Sequence, residues 1–491
     1  MKTNQSQKRI VRKIGGLLLA AAMLGLAGCS KSEGEASAPA SKFEWTTEIS
    51  GTTPLFVVPG QHTELTYAGE NLASVSVGTL PEGWSATVDG SARRITLSAT
   101  ESAATKATLT VTATGADTKS YTQQVELRCL NDFDDPAGVF VLNEGNMTTE
   151  NGSLTWISPE GYVLDDAYRT VNGTELGNVA QDMAFCDGKI YIISQNGNKN
   201  PNGTTFENDG MLVVADARTL KRTAAFTNEE LEDLDWPTHV AVLDEHHIYI
   251  RDNRGIYRLD AGTKQLTFIT GTDGAPKSRF VTMNGKVYTY LVKNTLGKIL
   301  EIDPASDAAV TYSLPYTTTY FINDIKGIQA ADDGRIWIMA FGFGESSIGK
   351  FDLSTRKIKQ HLIGIEVSVG SNGVAFVARG NDVYYADGTT IYHLLFDDEG
   401  EDEVNGEGDP LSSDEPMIDV AALDDNAGLS YNGLGVHPVT GRVYINTIKS
   451  FALYTQNQIW GFDFAVSFEN PAVKYENYTN FPAGFYFPAG N

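Results

Sequence analysis

The chain of 491 residues has very little cysteine and no surplus of positive charge. Three cysteines are too few to frame a disulfide scaffold, and no two of them stand at a zinc-binding spacing. A Walker loop, a G-x-S-x-G elbow and an H-E-x-x-H helix are all missing, which removes the enzyme classes that depend on them. Against 62 Asp and Glu stand 37 Lys and Arg, a net charge of −25, so nucleic acid and anionic lipid headgroups are poor partners. No apolar run reaches the roughly 18 residues that a permanent transmembrane helix needs.

What is there suffices for folded cores: 41% of residues are hydrophobic and 10% aromatic, over a length that suits about two to four domains. The first 28 residues carry Lys2, Lys8, Arg9, Arg12 and Lys13, then "IGGLLLAAAMLGLAG", which has the charge and core length of a signal peptide. Small residues follow, and then Cys29. This arrangement resembles the bacterial lipoprotein box, which implies that the thiol of Cys29 is lipidated and that residues 1–28 are removed. Losing them takes the net charge from −25 to −30. Ser30 is not the aspartate of inner-membrane retention, and residues 29–42, with "KSEGEASAPASK", form a flexible tether. The expectation is a lipid anchor in the outer membrane, with the domain facing the exterior. The remaining Cys129 and Cys186 lie in different predicted units, which disfavours a bridge without excluding one.

Residues 43–131 alternate apolar and polar over short runs such as "RRITLSA", "ATLTVTATG" and "YTQQVELRC", separated by turn signals. That pattern predicts an immunoglobulin-like β-sandwich, with Trp84 as a core plug. From residue 137 to 491 one phrase recurs, as "MAFCDGKIYII", "VAVLDEHHIYI", "FVTMNGKVYTY", "IQAADDGRIWIM", "VAFVARGNDVYYA" and "LGVHPVTGRVYIN". Each is a strand, a tight turn, then a β-branched residue before Tyr or Trp. A second hairpin phrase follows most of them, as in "VVADARTLK" and "YRLDAGTKQ". Two hairpins per repeat of about 40 to 60 residues predict the four-stranded blades of an all-β propeller.

Six repeats are complete, whereas the segment around "GVFVLNEG" and "GSLTWISPEG" lacks an innermost strand. The aromatic tail "AGFYFPAG" is the unassigned strand, and it predicts closure of a seven-bladed ring by pairing with residues 138–142. The acidic insertion "DDEGEDEVNGEGDPLSSDEP" reads as a solvated loop rather than a calcium site, since it lacks EF-hand spacing.

The segments leading into the innermost strands surround one rim of such a ring. They bring Asn178, Gln181, Trp236, His239, Arg279, Tyr320, Asn323, Lys326, Asn372, Tyr431 and Asn432 together, and neighbouring loops add Asn143 and Phe343. Amides and a few cations among aromatic rings suit a large solute with amide and hydroxyl groups, although Asn in such loops also serves turn geometry.

The run "FVLNEGNMTTENGSLTWISPEG", the following "ELGNVAQDMAF" and "KIYIISQN", and the terminal "FPAGFYF" resemble the surface propeller lipoproteins of Bacteroidota over residues 137–490. The best-known members of that family capture cobalamin. The resemblance implies a non-enzymatic protein with no cofactor of its own, which binds a small-molecule solute on the propeller face and caps an outer-membrane TonB-dependent transporter. Cobalamin is the leading ligand. A glycan-binding protein of a polysaccharide-uptake system and a propeller hydrolase or lyase are the alternatives.

Overall fold

In Lys106–Gly115 the residues Ala107, Leu109, Val111 and Ala113 are buried while their alternating neighbours face outward. Such period-two alternation is what a strand with one covered face produces. Eight strands of this kind make two four-stranded sheets. One joins Lys42–Trp45, His62–Glu70, Arg94–Ala99 and Trp84–Asp89; the other joins Leu55–Val57, Ser120–Cys129, Lys106–Gly115 and Leu72–Val77. Their inner faces share a core of Phe43, Leu65, Trp84, Ile95, Leu109 and Leu127. The Trp84 ring is buried, and its Nε1 donates to the Ala104 carbonyl. These observations belong to a computed structural model, which describes residues 38–201, 207–293, 296–314, 324–342, 345–365, 367, 374–398 and 416–488. Cys29 and most of the acidic insertion lie outside the described residues.

Among the described residues seven further four-stranded sheets follow, numbered I to VII. Sheets II to VII are simple meanders over 178–226, 239–268, 281–313, 324–363, 376–419 and 429–476. Sheet I instead takes its first strand from the chain end, in the order Pro482–Tyr486, Val139–Asn143, Ser153–Ile157, Val163–Leu164. Pro482 stands opposite Asn143 and Tyr486 opposite Phe140. The first strand of each sheet packs on that of the next, from II through VII, then to Pro482–Tyr486 and back to sheet II. The architecture is all-β and propeller-like.

An exposed strand edge is avoided at the junction of the two chain ends, and the aromatics are the reason it holds. Phe485 is buried against Tyr444, Val139, Val141, Ile157 and Ile459. Tyr486 turns to the other side, into the cluster of Phe140, Leu142 and Trp156.

Strand direction then defines two faces. First strands begin, and second strands end, at one face, called the mouth; the turns 158–162 and 217–221 lie at the other. The sandwich is seated on those turns. Phe133 N–H donates to the Arg218 carbonyl, Arg218 Nε to the Asn131 carbonyl, and Lys221 pairs with Glu101. Arg128, almost fully buried, pairs with Asp132 at 2.7 Å and Glu160 at 3.0 Å and lies over Trp156. Residues 38–42 enter at the opposite end of the sandwich, where Ser41 bonds Asp117.

Cys129 and Cys186 are unpaired. Burial pushes both thiols up, to about 12 and about 11. No helix among the described residues is long and apolar enough to cross a membrane, and no cluster of His, Cys, Asp or Glu among them is arranged to hold a metal ion.

Candidate ligand site at the mouth of the ring

The mouth residues fall into three groups with different roles. In the first, the amides hold the loops. Asn143 is fully buried, donating to Ser153 and Thr155 hydroxyls and accepting from the Asn480 N–H. Asn178 donates to the Glu150 carbonyl and accepts from Asn196 at 2.7 Å. His239 is buried and shares a hydrogen bond with the Thr238 hydroxyl. A buried amide must find partners, and these have found them within the protein. Within the protein these bonds position the loops of the mouth.

The second group lies deeper along the axis. The Asp182 carboxylate is buried, accepting from Tyr486 Oη at 2.8 Å and from the Val240 N–H at 3.1 Å. Arg279 reaches it at 3.7 Å, donates to the Phe485 carbonyl and stacks its guanidinium 4.1 Å from the Tyr486 ring centre. Burial raises the Asp182 carboxyl above the usual range, with Arg279 opposing, and lifts the Tyr486 hydroxyl well above its ordinary value. One carboxylate thus ties sheets I, II, III and IV together. Arg279 belongs to this tie.

The third group faces outward. Tyr431 meets Phe451 edge-on at 6.2 Å and Phe481 at 5.4 Å, while Tyr454 stacks on Phe481 at 4.2 Å. Phe451 is 66% exposed, which is high for so large a ring. Glu144 stands at the foot of this wall, accepting from Tyr431 Oη and from Asn432 Nδ2, which also donates to the Pro482 carbonyl. Burial pushes the Glu144 carboxyl up, with the nearby Lys277 ammonium and its donors, Gln181 among them, opposing. Lys277 itself is half-buried, and that burial lowers its pKa while Glu144 resists the fall.

Trp236 lies on the sheet III lip, 48% exposed, with its backbone at φ 54°. A bulky residue rarely adopts that left-handed region, so the lip holds the ring outward at some strain. Lys326 pairs with Asp324 at 2.7 Å beside Phe341. Tyr320, Asn323, Phe343 and Asn372 lie outside the described residues.

Residues 137–488 match the model of a family described as a domain of unknown function, DUF5074. The chain belongs to the DUF5074 family. The DUF5074 match coincides with the ring and leaves out the sandwich. No curated protein sequence matches. Among solved structures, a quinonprotein alcohol dehydrogenase-like protein from Bacteroides thetaiotaomicron is 14% identical, with a TM-score of 0.53 over 91% of this chain and 99% of that one. That span takes in both units, and the likeness speaks to fold. A protein of unknown function from the same organism matches at 13% identity over 69% of this chain and 96% of its own, with a TM-score of 0.31. TolB from Acinetobacter baumannii gives 14%, 60%, 74% and 0.32.

Reading the sequence alone missed Glu144, Lys277, Phe451, Tyr454, Phe481 and Asp182 within this DUF5074 ring. Phe451 and Tyr454 were visible in "KSFALYTQ", an aromatic loop too apolar for a plain turn. Phe481 stands just before "AGFYFPAG", the run read as the closing strand, which in the fold begins at Pro482.

Proposed function

We propose that this chain is a lipid-anchored, outward-facing capture protein of the outer membrane that holds a cobalamin-like solute at its mouth and passes it to a TonB-dependent transporter. In this reading Cys29 bears the lipid, the immunoglobulin-like sandwich is a spacer, and the seven sheets are the blades of a propeller. The observation that carries it is the aromatic wall in which exposed Phe451 joins half-buried Tyr431, Tyr454 and Phe481, beside the Glu144 and Lys277 charges. Apolar area with a few placed polar groups is what a large amphipathic solute needs. The seating of the sandwich on the opposite face supports it too, because among the described residues the sandwich does not cover the mouth.

Purified protein exposed to cyanocobalamin should retain the corrinoid absorption bands after gel filtration, and Trp236→Ala or Tyr431→Ala should weaken binding by about 1 to 4 kcal/mol with folding unchanged. A protein that emerges without those bands overturns the cobalamin reading. The flat Tyr454–Phe481 stack favours one second reading, a sugar platform, so retention of a polysaccharide in the same experiment would transfer the site to glycan capture.

A further inference from the structure

Arg251, Arg279, Lys326 and Lys277 stand at the mouth, and the first three are engaged. Arg251 donates from Nε to the Ala275 carbonyl and from Nη1 to the Thr238 hydroxyl. Arg279 is held by Phe485, Tyr486 and Asp182, and Lys326 by Asp324. Lys277 differs. Among the described residues its ammonium makes no hydrogen bond, and Glu144, the carboxylate whose field it feels, already accepts from Tyr431 and Asn432.

A half-buried ammonium has lost part of its water and carries three donors that need acceptors. Ala275, two residues before Lys277, accepts from Arg251, and Arg279, two residues after it, donates to the Phe485 carbonyl, so Lys277 stands at the mouth beside the closing strand; at the start of that strand the Phe481 carbonyl accepts from the Glu144 N–H, Glu144 holds Tyr431, and Tyr431 meets Phe451 and Phe481. We propose that Lys277 receives an anionic group, a carboxylate, sulfonate or phosphate, of a ligand whose apolar face lies on the wall formed by Phe451, Tyr431 and Phe481. The placement rests on the mouth being the binding site, as proposed above, and extends it to the class of ligand: an amphipathic anion, whether or not it is a corrinoid. Burial of Lys277 sharpens the selectivity, because a charge partly removed from water gains more from an opposite charge than an exposed one does.

Two dyes with one scaffold test this without a corrinoid. 1-Anilinonaphthalene-8-sulfonate and N-phenyl-1-naphthylamine share the same rings and differ by the sulfonate, and both brighten on entering an apolar site. Titrated into the full mature chain, the sulfonate should bind more tightly by roughly ten- to a hundredfold, the range of a charge-assisted hydrogen bond. Lys277→Met should abolish that preference and leave the neutral dye unchanged, Lys277→Arg should keep most of it, and Phe451→Ala should weaken both dyes together. Equal affinities in the wild-type protein, no binding of either dye, or a preference that survives Lys277→Met would each overturn the proposal. Equal dye affinities in the wild-type protein with cyanocobalamin still bound would count against the Lys277 site alone, whereas a clear preference with no cyanocobalamin binding would remove the corrinoid and leave the anion site standing.

Discussion

Replacing Phe485 by alanine should cost the ring a large part of its stability. The side chain is 2% exposed and packs on Tyr444, with ring centres 5.4 Å apart, and on Val139, Val141, Ile157 and Ile459. The neighbouring backbone leaves no slack to collapse into the hole: a Cβ built on Gly435 would already stand 2.7 Å from the Phe485 Cβ. Transfer of the ring to water accounts for about 1.5 to 3 kcal/mol, and the unfilled cavity brings the total to about 3 to 5 kcal/mol. Native stabilities are about 5 to 15 kcal/mol, so the loss is a sizeable fraction. In urea, followed through the buried Trp156, Trp337 and Trp460, the midpoint should fall by about 1 M or more for a slope of about 3 kcal/mol/M. Deleting residues 481–491 should do more, because the edge of Val139–Asn143 then has no partner and becomes a site for aggregation. A midpoint that moves by less than about 0.2 M in the Phe485 variant would refute the closure argument, since the contact would then bear no load.

Tyr486→Phe removes the hydroxyl donor of the buried Asp182, so it should destabilise by about 1.5 to 3 kcal/mol at pH 7. Burial already raises that carboxyl, meaning that the folded state holds its proton more tightly than the unfolded chain, and stability from this group is present at low pH and lost as pH rises through the folded pKa. The variant should therefore lie closer to wild type at pH 4 than at pH 7.5 in thermal melts. Asp132, at the seat of the sandwich, is raised to about 6 by burial, with Arg128 opposing. Its contribution is lost between about pH 4 and pH 6 as pH rises, so Asp132→Asn should gain on wild type over that window, and parallel melting curves would sink the assignment. Thiol labelling mapped by mass spectrometry should leave Cys129 unmodified until the protein unfolds and modify Cys186 slowly, because burial keeps both thiols protonated near neutral pH.

The repeated strand–turn–strand phrases were legible because hairpin chemistry is local: "CDGK", "MNGK" and "DDGR" set tight turns wherever they occur, and alternation along the strands reports the covered face. All-β architecture, the four-stranded sheets and the pairing of "AGFYF" with the start of the ring could be read from that grammar alone, the last because an aromatic strand without a partner is costly in water. Which mouth residues meet a solute was not legible, because the amino-acid type says only that a group can hydrogen-bond. Asn143 and Asn178 look like ligand contacts in the chain, yet in the fold they hydrogen-bond partners 10 to 337 residues away, which no local pattern announces. Arg279, one of the rim residues in the sequence, is held by the last strand in the fold. Glu144 and Lys277, unremarked in the sequence, come together because the ring brings residue 277 back to residue 144. Composition and spacing determine the sheets; closure of the ring decides which polar groups are engaged within it, because partners such as Asn143 and Asn480 meet only once the two ends of the domain are joined.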